Sequence, residues 1–500
     1  MSRFTVRVPD DYDSLSREEL ATLVRNLLRV IRAQQAQIEA LKRELEQERK
    51  HKGHAPFSKG PKKGAHKKPG RKKGQGRFTN RPPPDPSTVT DRMTIAPPDT
   101  CPHCGSSKVE LDSYEDFSIT DLSEPSPRVT AGRRAKGHCR RCGKPWRAKH
   151  PDVPDDQFGA TAHRMGRRLR LTAHALHYRL GIPVRKVSEV LLVTHAAKVT
   201  QSALTQDALR AAESGPLHDR AQEIGQTMPE APNVHVDPTG WRINGKSACL
   251  TTFATPDTAT ASGDTLYTIG YHHGADELIE VLGPGFQGTL NTDRGPEFRS
   301  KKLKNWRQQK CNTHLKRNVG KVLETKTKAA RDFGEHLRQL LDEARQLHRD
   351  YQAGRRDGYA AKVDKLEARM TRHLRDRKFT DPDNQRLLNG IGREHHAGNI
   401  LRFLHDPKIS PDNHLAELQL RFAVIARKVS HCSKNDRGAQ AHATLSTVFQ
   451  TENRALRFEE KQAKKTGKKV ATPSLVDRVL RYFTPKPPTP RSPDPPPPQP

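Results

Sequence analysis

The chain lacks any run of about 18 apolar residues, the length a membrane-crossing helix needs, so no spanning segment is expected. Its first residues, MSRFTVRVPDDYDSL, also lack the charged, apolar and small-residue order of a secretion leader, and the expected location is the cytoplasm. Aromatic residues are scarce, at 5 percent, and apolar residues of all kinds make up only 33 percent of the 500. Mean hydropathy is -0.87. Such a chain cannot fill one core from end to end. Long parts must be solvated arms, linkers or charged helices, with cores confined to two to four units. Acid is in short supply too: 57 Asp and Glu face 89 Lys and Arg, leaving a net charge of +32. That excess goes beyond solubility and fits a polyanionic nucleic acid held through phosphate contacts and counterion release. Cysteines number seven, an odd count containing two C-x-x-C pairs, which suits a reducing compartment and a metal better than a disulfide framework.

Residues 14–49 read as one amphipathic helix, opened by Ser16 with Glu19 three positions on as a capping box. Val24, Ile31, Ile38 and Leu45 fall in one heptad position and Leu20, Leu27 and Leu41 in the other, with Gln34 the polar exception. That pattern predicts a short coiled coil and hence a homo-oligomer. Residues 50–90 are Lys, Arg, Gly and Pro with little to bury, a disordered basic linker suited to non-specific phosphate binding. Within 91–155, Cys101, Cys104, Cys139 and Cys142 form two C-x-x-C-G knuckles. Four thiolates at this spacing suit tetrahedral Zn2+, and a closed site of that kind folds a small ribbon without performing chemistry. Residues 156–228 are read as helical, breaking near 194–199 and resuming at Thr200. A helix-turn-helix here offers Thr200, Gln201, Ser202 and Thr205 to DNA; two packed helices without that task are the alternative.

From Asn233 to Asp293 the pattern changes to strands. Val234 to Asp237 alternates, Thr239 to Ile243 continues, and Asn244-Gly245 is a hairpin turn leading into Ser247 to Thr255. Further strands at Thr265 to Tyr271 and Gly288 to Asp293 enclose a helix at Ala275 to Leu282. Three antiparallel strands, a helix and another strand make the ribonuclease-H-like order, an α/β fold. In that topology the first and fourth strands are neighbours, which brings Asp237 and Asp293 face to face as candidate ligands of a metal pair.

At this point a family resemblance becomes specific. Val234-His235-Val236-Asp237-Pro238-Thr239-Gly240-Trp241-Arg242 and Gly288-Thr289-Leu290-Asn291-Thr292-Asp293 resemble the two aspartate motifs of the IS66-type bacterial insertion-sequence DDE transposases. Gln309-Lys310-Cys311-Asn312-Thr313-His314-Leu315-Lys316-Arg317 is similar to that family's Q-x-C-x-x-H-x-x-R signature. Asn413-His414-Leu415-Ala416-Glu417, with Arg421, Arg427 and Lys428, resembles its final-glutamate block. The chain departs at Pro238, where the family usually has Glu, and at Leu418, where it usually has Arg. A proline there is expected to end regular strand pairing.

The resemblance implies a catalytic domain over 229–455 with a helical insertion at about 320–405, followed by a C-terminal segment and Pro-rich tail over 456–500. It implies metal-dependent cleavage of DNA at element ends and strand transfer into target DNA. Asp237, Asp293 and Glu417 would hold two Mg2+, or Mn2+ in their place, with Asp237 bridging both. Hard cations prefer oxygen ligands, which is why carboxylates suit this task. Arg421, Arg427 and Lys428 would meet DNA phosphate, and accessory proteins of the element are allowed for. The expected setting is nucleoid-associated. Glu452 is the competing third acid and is expected to be a surface residue. Cys311 and His314 are read as a core cysteine and a structural or DNA-contacting histidine rather than zinc ligands. The alternative function is an inactive, transposase-derived DNA-binding or regulatory protein.

Overall fold

The computed structural model describes residues 14–52, 135–147, 165–271, 274–327, 329–466 and 474–483, with isolated positions between 89 and 129. The expected basic linker, most of the expected zinc-binding region including Cys101 and Cys104, and the Pro-rich tail lie outside the described residues. The chain divides into two units, residues 1–122 and 123–500.

Among the described residues of the first unit one helix, α1 (Arg17–Lys52), begins where the capping box predicts. The Glu19 carboxylate accepts from the Ser16 backbone N–H at 3.0 Å, and the Glu19 N–H donates to Ser16 Oγ at 3.4 Å. Both bonds satisfy donors that a helix start would otherwise leave unpaired. Leu20, Val24, Ile31 and Ile38 of the heptad are all at least 42 percent exposed. The side chains of Leu41 and Leu45 lie outside the described residues.

The second unit starts with an antiparallel ribbon, β1 (Lys136–His138) and β2 (Pro145–Arg147), with Gly137 opposite Trp146. Four helices follow: α2 (Arg167–Tyr178), α3 (Val184–His195), α4 (Gln201–Glu213) and α5 (Pro216–Thr227). The expected break is present. Ala196 takes a left-handed conformation after α3, and Thr200 caps α4 by accepting the Ala203 N–H at 3.2 Å.

A five-stranded sheet comes next: β3 (Asn233–Ile243), β4 (Lys246–Ala254), β5 (Thr265–Gly270), β6 (Thr289–Thr292) and β7 (Arg307–Lys310). Its order is β5-β4-β3-β6-β7. β3, β4 and β5 are antiparallel neighbours; β6 runs parallel to β3, and β7 parallel to β6. The hairpin between β3 and β4 turns on Asn244 and Gly245, both at positive φ, as the Asn-Gly pair predicts. The expected end of pairing at Pro238 is corrected. β3 runs unbroken through it, with Pro238 opposite Thr251. The physical reason lies on the other edge: β3 pairs with β6 only from Asn233 to His235, so beyond that point an absent N–H on this side costs no ladder bond.

Side chains two apart on β3 share a face. Val234 and Val236 meet Phe253, Leu290 and the helix between β5 and β6, α6 (Ala275–Leu282), in one core. The odd-numbered residues from His235 to Ile243 face the opposite side. There Trp241 and Ile243 pack on Leu420, Ala423 and Ala426 of a helix over His414–Ser430.

Between β7 and that helix lie α7 (Asn312–Leu323), α8 (Ala329–Gln352), α9 (Tyr359–His373), α10 (Pro382–His396) and α11 (Arg402–His405). They close on their own core, which includes Leu337, Leu340, Leu366, Met370, Ile391 and Phe403. The helix over His414–Ser430 is therefore α12, followed by α13 (Asp436–Thr466) and α14 (Leu475–Leu480). Leu445, Val448 and Phe449 of α13 and Val479 of α14 share a core with Leu171, Ala208 and Leu217 of α2, α4 and α5. Among the described residues no helix is long and apolar enough to cross a membrane.

Candidate active site

The register of two strands brings the first two acids together. Asn291 of β6 stands beside His235 of β3 in a parallel pair, so two residues further on Asp293 stands beside Asp237. Asp237 thus lies within β3 where the shorter parallel strand β6 ends, and Asp293 follows directly on that end. Asp293 sits just past its strand, where Oδ1 accepts the Gly295 N–H at 2.8 Å.

The third acid arrives from a different layer. The segment before α12 is strapped to the sheet: Asn291 Nδ2 donates to the Ser410 carbonyl at 2.8 Å, and the Asn312 N–H donates to the Pro411 carbonyl at 2.9 Å. Asp412 accepts from the Thr313 N–H and hydroxyl and from Arg345 at 2.7 to 2.9 Å. Asn413, fully covered, donates through Nδ2 to the Val236 carbonyl at 2.8 Å. Its Oδ1 lies 3.2 Å from His235 Nδ1, which must then carry the proton; burial pulls the His235 imidazole down to about 4, so it is neutral. With Asn413 anchored, the first turn of α12 holds Glu417 on the same face as Asp237.

The electrostatics record the convergence. The Asp237 carboxyl is pushed up to about 7, first by burial, then by the carboxylates of Asp293, Glu417 and Glu297 in turn. Three acids, from β3, from the turn after β6 and from α12, crowd one place, an oxygen set of the type hard divalent cations prefer. Glu297, on the turn after Asp293, is a fourth neighbouring acid that the sequence reading missed; its only signal is its spacing of four from Asp293. Beneath the site Lys310 is wholly buried, its Nζ donating to Thr292 Oγ1 at 3.1 Å and Gln308 Oε1 at 2.7 Å. Burial pulls its ammonium down to about 8.

A pH effect follows with a definite sign. The folded protein keeps a proton on Asp237 that an unfolded aspartate gives up near pH 4. Its stabilising share is complete below about 4 and lost as the pH rises through about 7. Thermal unfolding is therefore expected to show Mg2+ raising Tm clearly at pH 8 and much less at pH 5, and Asp237→Asn should remove that difference. An equal response at both values would contradict the crowding.

The expectation for Glu452 is corrected. It is 1 percent exposed on α13, with Arg478 Nε and Arg481 donating to its Oε2 at 2.7 and 3.0 Å and the Tyr482 hydroxyl donating to Oε1. Arg220 lies 3.7 Å away on α5. A carboxylate so surrounded by guanidinium groups is an internal clamp with no vacancy for a cation.

A family model described as Transposase IS66 family matches residues 164–441, more than half of the chain and a span that contains Asp237, Asp293 and Glu417 but not Glu452. The chain belongs to that family. Comparison with curated proteins gives no match. Family membership makes this a transposase in the general sense, with divalent metal use and DNA as its partner.

Of the transposase's other candidate residues, Cys139 and Cys142 flank the tip of the β1–β2 ribbon. Gly143 turns there at φ +69°, and its N–H donates to the Cys139 carbonyl at 2.8 Å. The Cys139 thiol is held below its ordinary value by the backbone N–H groups of Cys142 and Arg141 and by the Cys142 thiol. Gln201, Ser202 and Thr205 are exposed on the first turns of α4. Arg421 and Lys428 are exposed on α12, whereas Arg427 turns back onto β3, donating to Thr239 Oγ1 at 3.0 Å and to the Gly240 carbonyl. Cys311 and His314, at the start of α7, come together with Glu417: Sγ, an imidazole nitrogen and a carboxylate oxygen lie within 4.8 Å of one another. Burial pushes the Cys311 thiol up to about 11.

Proposed function

We propose that this transposase is a DDE enzyme with a ribonuclease-H-like core that cleaves DNA at element ends and joins the freed 3' hydroxyl to target DNA. The observation that carries the reading is the crowding of Asp237 by Asp293 and Glu417. The strand order supports the core, and Pro238 leaves β3 unbroken, so that departure costs the site no strand. Two Mg2+ or Mn2+ ions bound there would neutralise the scissile phosphate and favour both the attacking and the leaving oxygen. Asp237, Asp293 and Glu417 would hold these ions, with Asp237, crowded by the other two, contributing to the charge that draws them in. Arg421 stands one helical turn after Glu417 and Lys428 lies further along α12, both suited to phosphate, with Arg427 between them holding β3 in place.

Residues 156–228 read element ends through Gln201 and Ser202. The working site is the nucleoid in the cytoplasm. Copies pair through α1, whose exposed heptad residues Leu20, Val24, Ile31 and Ile38 suit packing against a second such helix.

The test is strand transfer with end-bearing duplex DNA and Mg2+, comparing the full chain with Asp293→Ala; equal product from both ends the enzyme reading. Removal of residues 14–52 is expected to abolish joined two-end products while leaving single-end cleavage, with light scattering reporting a fall from dimer to monomer. An unchanged mass would remove α1 from the pairing role.

A further inference from the structure

The start of α7 and the start of α12 place three chemically different ligands together. Cys311 precedes α7, His314 lies in its first turn, and Glu417 lies in the first turn of α12. Sγ, imidazole nitrogen and carboxylate oxygen are mutually within 4.8 Å. A tetrahedral zinc with bonds of 2.0 to 2.3 Å separates its ligands by about 3.5 Å, so about 1 Å of side-chain rotation closes the set. His314 is poised for it. Its Nδ1 is shielded from solvent and makes no hydrogen bond, although Glu417 Oε1 is only 3.4 Å away. The Cys311 thiol makes only a long contact of 4.0 Å with Asp412 Oδ1, and that carboxylate is already held at shorter range by Arg345 and Thr313. His414 Nδ1, 4.0 Å from Glu417 Oε2 on the exposed side, leaves the fourth position to water or to itself.

We propose that Cys311, His314 and Glu417 form a site for a thiophilic divalent cation, of the Zn2+ or Cd2+ class, and that its occupancy takes Glu417 away from the Mg2+ pair and stops the transposase. Thiolate and imidazole select soft and borderline ions and reject Mg2+, which keeps to oxygen. Coordination replaces the Cys311 S–H bond with a sulfur–metal bond and releases the proton to water. Glu417 cannot serve both sites with the same oxygens, so the two metals compete. The inhibitory half rests on the function proposed above; the binding half does not.

The probe is Co2+, whose bond to thiolate gives a charge-transfer band, added to the full chain. Wild type is expected to show one more thiolate-bound equivalent per chain than either Cys311→Ser or His314→Gln. The knuckle cysteines contribute equally to all three. His314→Gln, at a partly exposed position, decides the matter if Cys311→Ser folds poorly. In strand transfer at fixed Mg2+, Cys311→Ser should raise the Zn2+ concentration giving half inhibition by at least about tenfold, the scale of losing one supporting group at a metal. Equal Co2+ equivalents in wild type and both variants overturn the site, and equal Zn2+ sensitivity overturns its inhibitory role. Asp237→Asn separates the two readings: it should keep the extra Co2+ equivalent while losing strand transfer. A wild-type chain that binds the extra equivalent yet never joins strands sinks the proposed function alone.

Discussion

Asp293→Asn should lower Mg2+-dependent strand transfer by more than about a hundredfold while leaving Tm close to wild type. The substitution keeps size and shape, and Oδ1 can still accept the Gly295 N–H that orders the turn. What it removes is one of the three carboxylate charges that a cation would meet beside Asp237. Changing a group that merely supports a metal ligand costs about 10 to 100-fold, so the loss of a ligand must exceed that range. Glu417→Gln should behave alike. Doubling either with Asp237→Asn should add little, because residues acting on one pair of cations fail together. A variant at position 293 retaining a tenth of wild-type product would rule out its ligand role.

Glu452→Ala is expected to do the reverse, costing stability rather than chemistry. The change strips Arg478 and Arg481 of a shared carboxylate and leaves the Tyr482 hydroxyl without its acceptor. Breaking a buried ion pair from one side typically costs about 3–5 kcal/mol, since the orphaned charge stays behind. Arg478 keeps Glu459 at 2.7 Å, which places the expected loss toward the lower end. Denaturant unfolding should record it, and limited proteolysis should cut earliest around α14, which the clamp ties to α13. Loss of strand transfer at full stability would instead restore Glu452 as the third acid.

The first two acids were legible because strands advertise themselves. Alternating residues around Asp237, the Asn244-Gly245 turn and the order of three strands, a helix and a further strand pointed to β3 and β6 as neighbours, and the register did the rest. β7 escaped notice for a physical reason. Arg307-Gln308-Gln309-Lys310 has no apolar residue, yet its last three side chains are buried, satisfied by amide and hydroxyl partners rather than by grease. Gln309 alone donates to the Ile400 carbonyl and accepts the Phe403 N–H. No periodicity reports such a strand. Glu452 misled for the same reason: a charged residue in a charged context reads as surface until α14 and the turn after it, some 26 to 30 positions away, fold over it. The meeting of Cys311 and His314 with Glu417 was out of reach as well, because only the strap of Ser410 to Asn413 makes distant helix starts adjacent.

That strap also sets a timetable for synthesis. The ribosome completes β3 and β6 long before it reaches α12, and five helices must be made in between. A nascent or prematurely terminated polypeptide can therefore carry Asp237 and Asp293 on a finished strand pair and still want its third acid. On the proposed reading, the cutting site is assembled only after α12 has left the exit tunnel and docked.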